Sequence, residues 1–129
     1  MIYGTGIDIV EIARIRNSLE KYPGHFEKKI FTPEEIRYCR EKPDPAKHFA
    51  ARFAVKEAVL KALGVGMSGL GWKDMETSND AETGKPSLRM HGKGLEIFES
   101  LKLKAIHISI SHDDTYAIAH AIAENQIRI

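Results

Sequence analysis

From Phe49 to Leu63 the apolar positions do not keep to one side. Projected at the α-helical step of about 100° per residue, Phe49, Phe53 and Leu60 share one side and Val55, Val59 and Leu63 cover another, while Ala50, Ala54 and Ala58 form a strip of small side chains. A helix apolar around its circumference is mostly buried, so charges within it need partners. Glu57 and Lys61 fall at i, i+4 beside the alanine strip, and Arg52 and Lys56 fall at i, i+4 between the larger apolar residues. The pattern predicts a helix from about residue 46 to Leu63, stopped by Gly64-Val65-Gly66, whose glycines tolerate left-handed dihedrals.

The surrounding pattern is mixed. Residues 2 to 9 read as a strand, and Ile12, Ile15 and Leu19 give helical spacing until Pro23-Gly24 breaks it. Thr32-Pro33-Glu34-Glu35 is a helix start, with Thr32 as N-cap, Pro33 at the first helical position and Glu35 closing a capping box; that helix ends near Pro43. A glycine-rich loop, MSGLG, follows the long helix. Residues 72 to 78 and 87 to 91 read as strands around a Thr83-Gly84-Lys85-Pro86 turn, and Leu95, Phe98 and Leu101 mark a short helix. In AIHISISH, Ile106, Ile108 and Ile110 point one way and His107, Ser109 and Ser111 the other; Tyr116 to Ile122 repeats the alternation with an alanine face, across an Asp113-Asp114-Thr115 turn. This order gives an α+β fold with an antiparallel sheet packed on a long helix.

Composition narrows the picture without changing it. The 129 residues fit one domain spanning 1–129, long enough for a core without disulfides or a structural metal, and a net charge of +1 gives no global attraction to nucleic acid or anionic membranes. The single cysteine, Cys39, suits a reducing compartment and reads as a small core residue. MIYGTGIDIV has no basic segment leading into a long apolar one, and no stretch approaches a membrane span, so the expected location is the cytoplasm.

Two carboxylates stand out. Asp8 lies in the apolar strand Gly6-Ile7-Asp8-Ile9-Val10, where it is exposed at the strand end, caps the following helix, pairs with a cation, or binds a metal. Glu57 and Lys61 have the order of a helical ion pair, but desolvating both charges costs more than such a pair returns. Mg²⁺ commonly takes one or two carboxylates plus substrate phosphates, so Asp8 and Glu57 form a candidate site with Lys61 reaching a phosphate oxygen. Arg52 and Lys56 either line a second anionic pocket or run past apolar stems to solvent. Ser111 and His112, as strand neighbours, face opposite ways and make an improbable nucleophile and base; binding a ligand is the better role for them. Zinc, GxSxG and Walker signatures are absent from the sequence.

These segments together resemble holo-acyl-carrier-protein synthases of the 4′-phosphopantetheinyl transferase superfamily. The likeness runs through GTGIDIVEIARI at 4 to 15, FTPEEIRYC at 31 to 39, RFAVKEAVLKALGVG at 52 to 66, TGKP at 83 to 86 and HISISH at 107 to 112. It implies a 4′-phosphopantetheinyl transferase-like fold and transfer of the phosphopantetheine arm of coenzyme A to a serine of apo-acyl carrier protein, releasing adenosine 3′,5′-bisphosphate. By position, Asp8 and Glu57 match the family's Mg²⁺ ligands and Lys61 its phosphate-contacting lysine. Arg52, Gly84, Lys85, Pro86, Ser111 and His112 match coenzyme A-binding positions, and Arg14 matches a contact to the acidic carrier protein, with exposed Arg16 beside it. The resemblance also implies a homotrimer with active sites between subunits. His48-Phe49 and the acidic Asp113-Asp114 depart from the family pattern. Two other readings predict phosphate binding as well: a nonenzymatic coenzyme A or nucleotide-binding module, and a Mg²⁺-dependent phosphohydrolase.

Overall fold

The computed structural model describes residues 1–66 and 69–126, so Met67 and Ser68 of the glycine-rich loop lie outside the described residues. The chain runs β1 (Ile2–Glu11), α1 (Ile12–Lys21), α2 (His25–Ile30), α3 (Pro33–Arg40), α4 (Pro45–Leu63), a 3₁₀ turn (Trp72–Asp74), β2 (Met75–Asn79), β3 (Pro86–Met90), α5 (Gly92–Ser100), β4 (Leu103–His112) and β5 (Tyr116–Asn125). β1, β5 and β4 form an antiparallel sheet in that order, and β2 and β3 form a separate hairpin. The α+β layout with a sheet on a long helix is as expected.

α4 is the axis of the molecule. Thirteen of its 19 residues are buried, including Arg52 and Lys56, and Gly64 ends it in the left-handed conformation at φ 71°. The inner face of the sheet lies against it: Ala117, Ala119, Ala121 and Ala123 of β5 are buried, while the outward Tyr116, Ile118 and His120 are exposed. Small inward side chains let the sheet approach the helix closely. Isoleucines 106, 108 and 110 of β4 pack against the same core.

The Thr32 capping box forms, with the Glu35 amide donating to Thr32 Oγ1 at 3.3 Å and the Thr32 amide to Glu35 Oε1 at 3.0 Å. Three differences are local. α2 was not foreseen, because six residues after Pro23-Gly24 carry too little periodicity to read. α3 stops at Arg40 rather than Pro43, and the strand expected from residue 72 opens with a 3₁₀ turn before β2. Cys39 is fully buried, and burial pushes its thiol pKa up to about 12.

Candidate functional site

Glycines decide how β1 meets α4. A Cβ at Gly4 would lie 2.2 Å from the Ala62 carbonyl oxygen, and one at Gly6 would lie 2.0 Å from that of Ala58, so only hydrogen fits at either position. Gly4, Gly6 and Asp8 share the inner face of β1 by strand alternation. The close approach therefore delivers Asp8, two residues on, to the next turn of α4. There Lys61 Nζ donates to Asp8 Oδ1 at 3.2 Å and to the Ile7 carbonyl at 2.9 Å. Asp8 is no helix cap: β1 continues to Glu11, which takes the N-cap position of α1 without a side-chain bond.

Asp8 and Glu57 line one cleft of about 420 Å³ with Arg14, Ile15, Ser18, Phe26 and Phe53. Lys61 turns to Asp8 and not to Glu57, so the helical Glu57–Lys61 ion pair does not form, and Glu57 has no ion-pair partner among the described residues. Burial, and then the nearby Asp8 charge, raise the Glu57 pKa above the usual glutamate range against the opposing pull of Lys61. Of the two carboxylates Lys61 engages Asp8 alone, so among the described residues Glu57 stands without an ion-pair partner beside a second carboxylate, an arrangement that a cation would relieve. Two carboxylate donors suit a hard, oxygen-seeking ion that takes its remaining positions from water and ligand oxygens; among the described residues no group of three His, Cys, Asp or Glu able to hold a metal occurs.

A second cleft, about 350 Å³, brings together Arg52, Gly84, Pro86, Ser111 and His112 with Tyr38, His48, Ala51, Asn79 and Ile110. Gly84 adopts φ 74° in the turn between β2 and β3, where Asn79 Nδ2 donates to its carbonyl at 2.9 Å. Arg52 is only 2% exposed, stacks 4.0 Å from the Tyr38 ring centroid and donates through Nη2 to Asn79 Oδ1, yet its Nε has no partner. Arg52 does not extend to solvent. A buried guanidinium without an ion-pair partner among the described residues favours an anion in the cleft. Burial, and then the neighbouring His112, whose ring lies 5.7 Å away, push the His48 pKa below the usual histidine range. Lys85 opens instead onto an adjoining cleft with Arg89 and Ser87.

The acidic Asp113-Asp114 pair is spent locally. Asp113 Oδ1 accepts the amides of Thr115 at 2.8 Å and Tyr116 at 2.7 Å, and Asp114 pairs with Lys47 at 3.2 Å. Arg14 lines the carboxylate cleft, whereas Arg16 is engaged by Asp44 through two bonds of 3.0 and 3.1 Å. Sequence reasoning missed Tyr38, Asn79 and His48 in the second cleft, since nothing in their spacing ties them to Arg52. It offered Lys56 an anionic pocket or solvent, and neither holds. Lys56 is fully buried against Glu35, 21 positions away, with Nζ and Oε1 2.8 Å apart.

The 4′-phosphopantetheinyl transferase superfamily model matches residues 4–121 of the chain. A holo-[acyl-carrier-protein] synthase of Koribacter versatilis is 44% identical over 126 residues, covering 97% of this chain and 100% of the relative. A crystal structure of holo-[acyl-carrier-protein] synthase from Neisseria meningitidis superposes with a TM-score of 0.89 at 32% identity, covering 97% of this chain and 100% of that one. One from Helicobacter pylori in complex with coenzyme A superposes with a TM-score of 0.82 at 32% identity, covering 93% and 99%.

Proposed function

The chain belongs to the holo-acyl-carrier-protein synthases of the 4′-phosphopantetheinyl transferase superfamily, and from that premise we propose that Asp8, Glu57 and Lys61 form its reaction centre. The enzyme transfers the 4′-phosphopantetheine arm of coenzyme A to a serine of apo-acyl carrier protein, leaving adenosine 3′,5′-bisphosphate. The observation that carries the residue assignment is the pair of carboxylates on β1 and α4, brought together by glycine contacts, with Lys61 on Asp8.

Asp8 and Glu57 would hold Mg²⁺, which when bound supplies charge neutralisation on the coenzyme A pyrophosphate. Lys61, freed from Asp8, donates to a phosphate oxygen. Glu57, directly or through a water, accepts the proton of the carrier serine. The serine oxygen bonds to the pantetheine-bearing phosphorus as the bridging pyrophosphate bond breaks, and the electron pair leaves with the nucleotide. Arg52, Gly84, Lys85, Pro86, Ser111 and His112 receive the nucleotide and its 3′-phosphate, and Arg14 meets the acidic carrier.

The two clefts share no lining residue. Arg52 and Glu57 stand about 140° apart around α4, so one coenzyme A is served best by the carboxylate cleft of one copy and the basic cleft of the next. The outward face of β1 and β5 supports this homotrimer: Ile7 is 62% exposed, Ile9 59% and Ile118 37%, with Ile9 paired opposite Ile118. No helix among the described residues is long and apolar enough to cross a membrane, which accords with a single domain working in the cytoplasm.

The test is to incubate the protein with Mg²⁺, coenzyme A and apo-carrier protein and to weigh the carrier by mass spectrometry. A phosphopantetheine adduct that disappears in Asp8→Ala and Glu57→Ala, both folded, is expected; full activity in either variant refutes its assignment. Coenzyme A breakdown without a carrier would favour hydrolysis, and binding without turnover would favour a nonenzymatic module.

A further inference from the structure

A helix that is apolar on every side has no polar face to set its rotation. α4 is such a helix, and the backbone contacts of Gly4 with Ala62 and of Gly6 with Ala58 hold it on the β1 side alone. Its site depends on that rotation, because Glu57 and Lys61 meet Asp8 at one azimuth only.

Among the described residues one ion pair has both side chains at 0% exposure: Lys56 Nζ and Glu35 Oε1. Lys56 Nζ also donates to the Trp72 carbonyl at 3.0 Å and to the Met75 carbonyl. Glu35 accepts the Thr32 amide on Oε1 and the Thr77 amide on Oε2, each at 3.0 Å. The pair thus ties α4 to the start of α3, the 3₁₀ turn and β2. It does so about 160° around the helix from Ala58, the residue against which Gly6 packs.

We propose that Lys56 and Glu35 are positioning residues whose buried contact fixes the rotation of α4 and so presents Glu57 and Lys61 to Asp8. The proposal rests on the carboxylate-pair reading above. Both alternative rotations are penalised by the residues beside Lys56. A step of about 100° one way would turn Glu57 toward Glu35, carboxylate against carboxylate. The same step the other way would bring Val55 there and strand Glu35 without a cation in the core.

The experiment compares wild type, a packing-only variant (Glu35→Leu with Lys56→Met) and the conservative Glu35→Gln, which keeps polar groups at the junction. Mn²⁺ is titrated into each metal-free protein and followed by electron paramagnetic resonance, and half-saturating Mg²⁺ is measured in the carrier-modification assay. The packing-only variant is expected to fold, with cooperative melting, yet to bind Mn²⁺ at least tenfold more weakly and need at least tenfold more Mg²⁺. Glu35→Gln, which leaves Lys56 its two carbonyl acceptors, is expected to melt lower yet stay within threefold of wild type on both readouts. Wild-type Mn²⁺ affinity in the packing-only variant, an equal loss in Glu35→Gln, or failure of the packing-only variant to fold would each overturn the positioning role. Mn²⁺ binding indifferent to Asp8→Ala would overturn the carboxylate-pair reading and this proposal with it.

Discussion

Replacing Gly6 by alanine should damage activity more than stability. The new Cβ would lie 2.0 Å from the Ala58 carbonyl oxygen and 2.8 Å from both the Ala62 nitrogen and Lys61 Cβ, whereas ordinary contact begins near 3.4 Å. These neighbours are helical backbone and a Cβ, so no rotamer relieves the clash; β1 has to retreat by more than an ångström. Overpacking of this kind costs about 1–3 kcal/mol and sometimes more. For a chain of this length that lowers Tm by roughly 3–5 °C per kcal/mol. The same displacement carries Asp8 away from Glu57 and Lys61, and a misplacement of about 1 Å at a reacting centre costs on the order of 100-fold in rate. Thermal melting and kcat/KM for carrier modification should therefore fall together in Gly6→Ala, with half-saturating Mg²⁺ rising. Gly66→Ala, where an added Cβ meets nothing within 4 Å, should change neither. Wild-type kcat/KM in Gly6→Ala, or a lower Tm with unchanged Mg²⁺ dependence, would refute the idea that glycine contact places Asp8.

Three further outcomes follow from the same geometry. Lys56→Met alone strands the Glu35 carboxylate in the core, a loss of about 3–5 kcal/mol that a calorimeter should register as a Tm lower by roughly 10–20 °C; a drop of a degree or two would show the pair to be dispensable. Burial, and then the Asp8 charge, raise the folded-state pKa of Glu57 above the usual glutamate range, so its ionisation disfavours the folded state. Without metal, wild type and Glu57→Gln should melt alike at the acid end, and wild type should fall behind as pH rises through the Glu57 titration; a gap of constant size would sink this. In the same window Mn²⁺ affinity should rise with pH as Glu57 loses its proton. Arg14→Glu should raise KM for an acidic carrier protein far more than KM for coenzyme A, and equal effects would argue against docking there.

The sequence carried the architecture well where the signal was local. The TPEE start, the alternation of β4 and β5 and the glycine stop of α4 each depend on neighbours in the chain, and each forms as read. It also carried the tension in α4, since charges on an all-round apolar helix demand partners. It could not name those partners. Lys56 looked like the companion of Arg52 one turn away, but its carboxylate is Glu35, reached only once α3 packs on α4. The Glu57–Lys61 pair looked sound by spacing and lost to Asp8, which enters because two glycines let β1 sit on the helix backbone. Tyr38 and Asn79 were invisible for the same reason: their link to Arg52 exists in space alone.

Cys39 has a consequence for the chemistry of handling thiols. The substrate and the modified carrier both carry a free sulfhydryl at the end of the phosphopantetheine arm, and a thiolate on the enzyme would exchange with any disulfide formed from them. The chain's single cysteine is sealed in the core, where burial pushes its pKa up to about 12, so at neutral pH it stays a thiol. Toward a coenzyme A disulfide this protein presents no thiolate from Cys39, and its activity should depend on the supply of reduced coenzyme A and not on the oxidation of that cysteine.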